Sequence, residues 1–116
     1  EYIDIKGKLI PNHEYDVLLL QTEVAGVFYR DLYVVESELK EGDLLCLVRQ
    51  PDNVYDKKAI LVTTYNGYVV GYIPRRLNTM PASLMDSGEN LYGVLESIDI
   101  DANRLLIRVM FSKSKK

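Results

Sequence analysis

Apolar and polar positions divide this 116-residue chain into short blocks. "VLLLQTEVAGVFYR" (17–30) reads as extended, with Gly26 marking a bulge or a close backbone approach. "LLCLVRQ" (44–50), "AILVTTY" (59–65) and "YVVGYI" (68–73) read as strands, the first of them preceded by a turn at Glu41-Gly42-Asp43. Asn66-Gly67 joins the last two as a hairpin of type I′, which needs positive φ at both central residues. Period two then places Tyr68 and Tyr72 on one face of their strand. Pro74 stands where a helix can start; Leu77, Met80, Leu84 and Met85 follow at helical spacing, and Gly88 ends the segment. "NLYGVLESIDI" (90–100) and "RLLIRVMF" (104–111) form a further hairpin about Asp101-Ala102-Asn103. Residues 1–14, with a turn at Pro11-Asn12, read as irregular, 32–43 fits no single pattern, and Lys113–Lys116 reads as a frayed end.

Sequential hairpins imply a mainly antiparallel sheet. "LLCLV" and "RLLIRVMF" are nearly continuous in apolar character, so part of that sheet is expected to be covered on both faces. The fold class is therefore mainly β with short helices: a small curled sheet or barrel of about six strands, closed by one or two short helices. The expected organisation is an irregular extension over 1–15, one domain over 16–112 and a basic tail over 113–116.

Composition narrows the function classes. At 13.3 kDa, with 47% hydrophobic and 27% charged residues, the chain has material for one globular core. No apolar run approaches the roughly 18 residues of a membrane span, and no secretory pattern opens the sequence, so no membrane partner is expected. The first residue is Glu1, which suggests a domain cut from a longer protein. The single Cys46 has no internal disulfide partner, and a reducing, intracellular location is expected: a bacterial cytoplasm, or a nucleus in a eukaryote. Cys46 in its apolar strand reads as a small hydrophobe and His13 as a surface residue; one of each leaves zinc without a ligand set, and no cofactor is expected. There is no P-loop, no G-x-G-x-x-G and no G-x-S-x-G, so the chain reads as a binding domain rather than an enzyme.

Net charge is −3 with a pI near 5.1, which argues against nucleic-acid binding, but the distribution is uneven. Between Arg49 and Arg76 five basic residues (Arg49, Lys57, Lys58, Arg75, Arg76) face two acidic ones (Asp52, Asp56). A basic patch on an acidic body attracts a short polyanion better than a long one. Nine tyrosines and two phenylalanines supply aromatic faces for stacking bases, or an apolar rim with wet hydroxyls. "RQPDNVYDKKAILV" (49–62) admits two readings as well. Asn53 and Asp56 make an Asx turn with Tyr55 packed beside them, or Asp56 is an acceptor-only group held to receive a sugar hydroxyl while Lys57, Lys58 and Arg75 neutralise phosphates.

"VAGVFYR", "EGDLLCLVRQPDNVYDKKAILV" and "NGYVVGYIPRRL", in this order and spacing, resemble the HIRAN domain, a module at the N-termini of some Swi/Snf-type DNA-dependent ATPases and in small bacterial proteins. The resemblance implies a modified OB-like β-barrel over 16–112 that binds single-stranded DNA at a free 3′-hydroxyl end in DNA repair or processing, with no catalysis of its own. It implies Tyr29 as a base-stacking aromatic with Phe28 and Arg30 beside it, and Asn53 and Asp56 at the terminal nucleotide, Asp56 on its 3′-hydroxyl. Tyr55 and Lys58 belong to the same loop, Tyr72 and Arg75 line the pocket and face the phosphate, and Phe111 offers a second stacking surface. The chain departs from the family at Arg30, where a second aromatic is usual, at Val54, where proline is usual, and at Lys58, where asparagine is common. The alternative function is a docking domain that keeps the fold without the ligand, presenting "VLLL" and Leu32, Tyr33, Val34 and Val35 to other domains of a parent protein.

Overall fold

A computed structural model describes residues 2–3, 9–10, 16–26, 37, 39–99 and 101–112. Its principal sheet has six antiparallel strands in the order β3-β8-β7-β4-β5-β6. These are β3 (Val17–Glu23), β4 (Leu44–Arg49), β5 (Ile60–Thr63), β6 (Val69–Tyr72), β7 (Asn90–Asp99) and β8 (Arg104–Ser112). Between β6 and β7 lie a 3-10 turn (Arg75–Leu77) and the helix α1 (Thr79–Asp86). The sheet curls into a half-barrel around Leu45, Ile60, Val62, Val70, Leu95, Leu105, Ile107 and Val109, all 0–1% exposed. Outside it, β1 (Tyr2–Ile3) and β2 (Leu9–Ile10) form a separate two-residue antiparallel ladder in a stretch whose sequence reads as irregular. His13, Phe28, Tyr29, Arg30, the cluster Leu32 to Val35 and the 113–116 tail lie outside the described residues.

Along β8 the buried Leu105, Ile107 and Val109 alternate with the half-buried Leu106, Arg108 and Met110. On β7 the four successive residues Tyr92 to Leu95 are all buried, so the sheet is covered on both faces there rather than along "LLCLV" or "RLLIRVMF", where fully buried residues stand among half-buried and exposed ones. Cys46 is half-buried on β4 opposite Thr63.

Three details of the sequence reading change. The β5–β6 connection is a hairpin, but not of type I′. Its loop runs over Tyr65–Asn66–Gly67, closed by the Gly67 N–H on the Thr64 carbonyl (3.0 Å) and the Thr64 N–H on the Tyr68 carbonyl (3.0 Å). Only Gly67 (φ +92) takes the left-handed conformation, which is the three-residue hairpin with a glycine bulge. A bulge in β6 then alters the facing of its tyrosines: Leu61 pairs with Tyr72 but Thr63 pairs with Val69, so Val69, not Tyr68, shares a face with Tyr72. Finally, Asn78 separates the 3-10 turn from α1 and breaks the helical row. Leu77 and Met85 pack against the core, with Pro81 and Ala82 buried, whereas Met80 is exposed. α1 ends as its glycine predicts, with the Gly88 N–H on the Met85 carbonyl (3.0 Å) and the Glu89 N–H on the Leu84 carbonyl (3.0 Å), the Schellman pattern.

Two contacts shape the end of the half-barrel where the β4–β5 connection lies. Ala25, just past β3, bridges to Tyr72 of β6 through two 2.7 Å hydrogen bonds, joining opposite edges of the sheet. Gly71 permits this approach, because a Cβ there would lie 2.5 Å from the Ala25 carbonyl oxygen and 2.4 Å from Val24 Cγ1. Arg49, at the end of β4, secures the connection to β5. Its guanidinium donates to the carbonyls of Ala59 (2.7 Å) and Lys57 (3.0 Å) and, from Nε and Nη2, to the two Asp86 oxygens at 2.9 and 3.1 Å.

Gly71→Ala is therefore expected to cost about 1–3 kcal/mol in a urea titration, by pushing β3 and β6 apart. Arg49→Ala is expected to cost about 1–3 kcal/mol, since it strands two loop carbonyls. Asp86→Ala removes only the exposed partner of the pair and is expected to cost much less than Arg49→Ala; equal losses would show that the ion pair, not the carbonyl contacts, secures the loop.

Candidate functional site

The connection from β4 to β5 is built of two successive turns. The Asn53 N–H closes the first on the Gln50 carbonyl (3.0 Å), and the Ala59 N–H closes the second on the Asp56 carbonyl (3.1 Å). Between them the Asn53 side chain folds back, and its Oδ1 accepts from the backbone N–H of Tyr55 (2.8 Å) and of Asp56 (3.1 Å). Its Nδ2 donates to Gln50 Oε1 (3.0 Å), and the same oxygen accepts from the Tyr72 hydroxyl (2.9 Å). Gln50 thereby ties the loop to β6.

Asp56 repeats the motif three residues on. Its Oδ1 accepts from the Lys58 N–H (2.9 Å) and its Oδ2 from Asn78 Nδ2 (2.8 Å). Asn78 sits at the N-terminus of α1, only 2% exposed, and its side chain makes no cap to that helix; it reaches across to the loop instead. Arg75 Nε lies 3.9 Å from Asp56 Oδ2, beyond hydrogen-bond range, on a side chain that is 78% exposed. The Lys58 N–H, then Asn78, then the charge of Arg75 outweigh partial burial and hold the Asp56 carboxyl below its ordinary value of 3.8, so it is an ionised acceptor at neutral pH.

These groups converge. Asn53, Tyr55, Asp56, Tyr72 and Arg75 line one open cleft of about 430 Å³, together with Ala25, Gly26, Ala59 and Ile73. The Ala25–Tyr72 bridge supplies one wall. Gly26, at φ +63, turns the chain away there in a conformation that favours glycine. Tyr55 stands at the rim, 85% exposed beside the equally exposed Val54, with its ring free to stack.

The remaining candidates fall elsewhere. Lys58 is exposed on the same loop and contributes its backbone N–H to Asp56 rather than a side chain to the cleft. Phe111 lies at the far end of β8, paired with Val17 and Leu91. Six residues, about 20 Å of strand, separate it from Leu105, which bonds Val24 beside the closure. Arg76 lines a second, wider groove of about 700 Å³ that carries two carboxylates, Glu23 and Glu96. Sequence reasoning missed Gln50 and Asn78, and it read a bulge or close backbone approach at Gly26 without placing it at the site. An asparagine directly before a helix signals a cap, which Asn78 does not make, so that signal does not lead to its partner Asp56.

The sequence profile of the HIRAN domain matches residues 17–114. The helicase-like transcription factor of Mus musculus is 35% identical over 82 residues, which are 68% of this chain and 8% of that protein's length. A protein from Lactobacillus plantarum has a similar structure, with a TM-score of 0.75 and 32% identity over 83% of this chain and 94% of that one. The HLTF HIRAN domain in its DNA-bound conformation is similar at a TM-score of 0.56 and 27% identity, over 85% of this chain and 80% of that chain. The chain belongs to the HIRAN domain family.

Proposed function

We propose that this domain binds single-stranded DNA at a free 3′-hydroxyl end, as a recognition module without catalysis of its own, in a protein of DNA repair or processing. The observation that carries this reading is the convergence of five side chains on one cleft, with an ionised, acceptor-only Asp56 held by Lys58 and Asn78. Such a carboxylate repels a phosphate and accepts from a hydroxyl, so it favours a strand terminus over the middle of a strand. Arg75 takes the terminal phosphodiester, with Lys57 and Lys58 adding positive potential from the exposed loop. The rings of Tyr55 and Tyr72 offer stacking surface, and the family's stacking role at Tyr29, with Phe28 and Arg30, belongs to the same reading. Asn53 has a shaping role, since its amide oxygen is saturated by two backbone N–H groups and one Nδ2 proton remains for a ligand. The DNA-bound conformation known for the HLTF HIRAN domain supports DNA as the partner class. Docking to another domain has narrower support, in the exposed Val17 and Leu18 of edge strand β3; a partner captured equally well by Asp56→Ala would favour it.

Fluorescence anisotropy with a thymidine oligonucleotide ending in a 3′-hydroxyl or a 3′-phosphate tests the reading. The wild type is expected to prefer the hydroxyl by tenfold or more, roughly the 1.5–3 kcal/mol of a hydrogen bond to a charged group. Asp56→Ala is expected to lose that preference while its circular dichroism shows a folded domain; equal binding of both ends by the wild type overturns the proposal. Against a dideoxy terminus, which carries no titrating phosphate, the preference is expected to stay flat from pH 7 down to about 4. It then falls as Asp56 protonates, because its folded pKa lies below 3.8. The same sign holds for stability: the contribution of Asp56 is fully present above 3.8 and is lost as the pH falls through the lower, folded value.

A further inference from the structure

Asp56 keeps accepting capacity that no hydrogen bond within the protein fills. An ionised carboxylate has about four lone-pair positions. Asp56 commits one on each oxygen, to the Lys58 N–H at 2.9 Å and the Asn78 amide at 2.8 Å, and keeps one on each. Arg75, 3.9 Å away, occupies neither. Tyr72 gives its proton to Gln50 at 2.9 Å, so its phenolic oxygen meets a ligand only as an acceptor. Donors among the described residues line the same cleft: the Arg75 guanidinium, the Tyr55 hydroxyl and the second Nδ2 proton of Asn53.

A deoxyribose terminus brings one hydroxyl to the two open positions of Asp56, whatever its base. A ribose terminus brings two on neighbouring carbons, close enough to reach both oxygens of one carboxylate. An acidic side chain is what dinucleotide-binding folds set against the ribose 2′-hydroxyl, and that hydroxyl is the group by which proteins separate RNA from DNA. Space permits it: Ala25, Gly26 and Ala59 carry nothing beyond Cβ, and about 430 Å³ lies within the roughly 300–1,000 Å³ of small-ligand pockets. We propose that the cleft takes a 3′-terminal ribonucleotide, with the 2′- and 3′-hydroxyls each donating to one oxygen of Asp56, and that it prefers a ribose end to a deoxyribose end. This inference rests on the 3′-end reading above.

The test uses the full chain and one thymidine oligonucleotide body with four termini: deoxythymidine, ribothymidine, 2′-O-methylribothymidine, each with a free 3′-hydroxyl, and deoxythymidine 3′-phosphate. The ribothymidine end is expected to bind about five- to tenfold tighter than the deoxythymidine end, the range of one added hydrogen bond. Methylation removes the 2′ donor and is expected to return affinity to the deoxythymidine level or below. Equal or weaker binding of the ribothymidine end overturns the inference, as does a gain that survives methylation. In either case a preference for the deoxythymidine hydroxyl over its phosphate leaves the 3′-end reading standing. Binding of the phosphate end as tightly as the hydroxyl end, or of no end at all, removes both.

Discussion

The cleft exists because the end of β3 comes within hydrogen-bonding distance of β6. Ala25 and Tyr72 exchange two 2.7 Å bonds, and the residue beside Tyr72 has no side chain to hold the backbones apart. Without that closure the six-stranded sheet would end in two separate edges, each exposing unpaired backbone groups. With it, the loop after β4, the end of β6 and the 3-10 turn face a common wall. The bulge in β6 belongs to the same device, since it resets which side chains turn toward the loop.

Within this frame the turn chemistry of the loop and its proposed binding role draw on the same bonds. Asn53 and Asp56 both bind backbone N–H groups, which is what turns require. The same bonds hold the Asp56 carboxylate in place and leave half of its accepting capacity unspent. Gln50 and Asn78 complete the network: one ties the loop to β6, the other to the start of α1, and Arg49 ties its exit to the end of α1. Rigidity of this kind favours recognition, because ordering entropy is met in folding rather than in binding.

Charge follows the same division. The chain is acidic overall, and the second groove, with Glu23 and Glu96 beside Arg76, reflects that. The cleft differs because Arg75 is exposed and only loosely paired with Asp56, which leaves its guanidinium available to a phosphate. On the proposed function, a short terminus meets an attractive dent on a body that repels the rest of a long strand.

Strands, hairpins and the helix stop were legible in the sequence because each is set by residues a few positions apart. Gly88 ends α1, Gly67 turns the β5–β6 hairpin, and Asn53 and Asp56 bond N–H groups two or three residues on. The family resemblance likewise gathered Asn53, Tyr55, Asp56, Tyr72 and Arg75, which share the cleft. Period-two alternation carries no mark of a bulge, so the facing of Tyr68 was not readable from it. Nor does a buried asparagine announce its partner: Asn78 and Asp56, like Gln50 and Tyr72, stand 22 residues apart and meet only after the sheet has curled. Local pattern determined which elements form. Curvature, bulges and long-range polar pairing, which depend on the packing of the whole core, decided which side chains share the cleft.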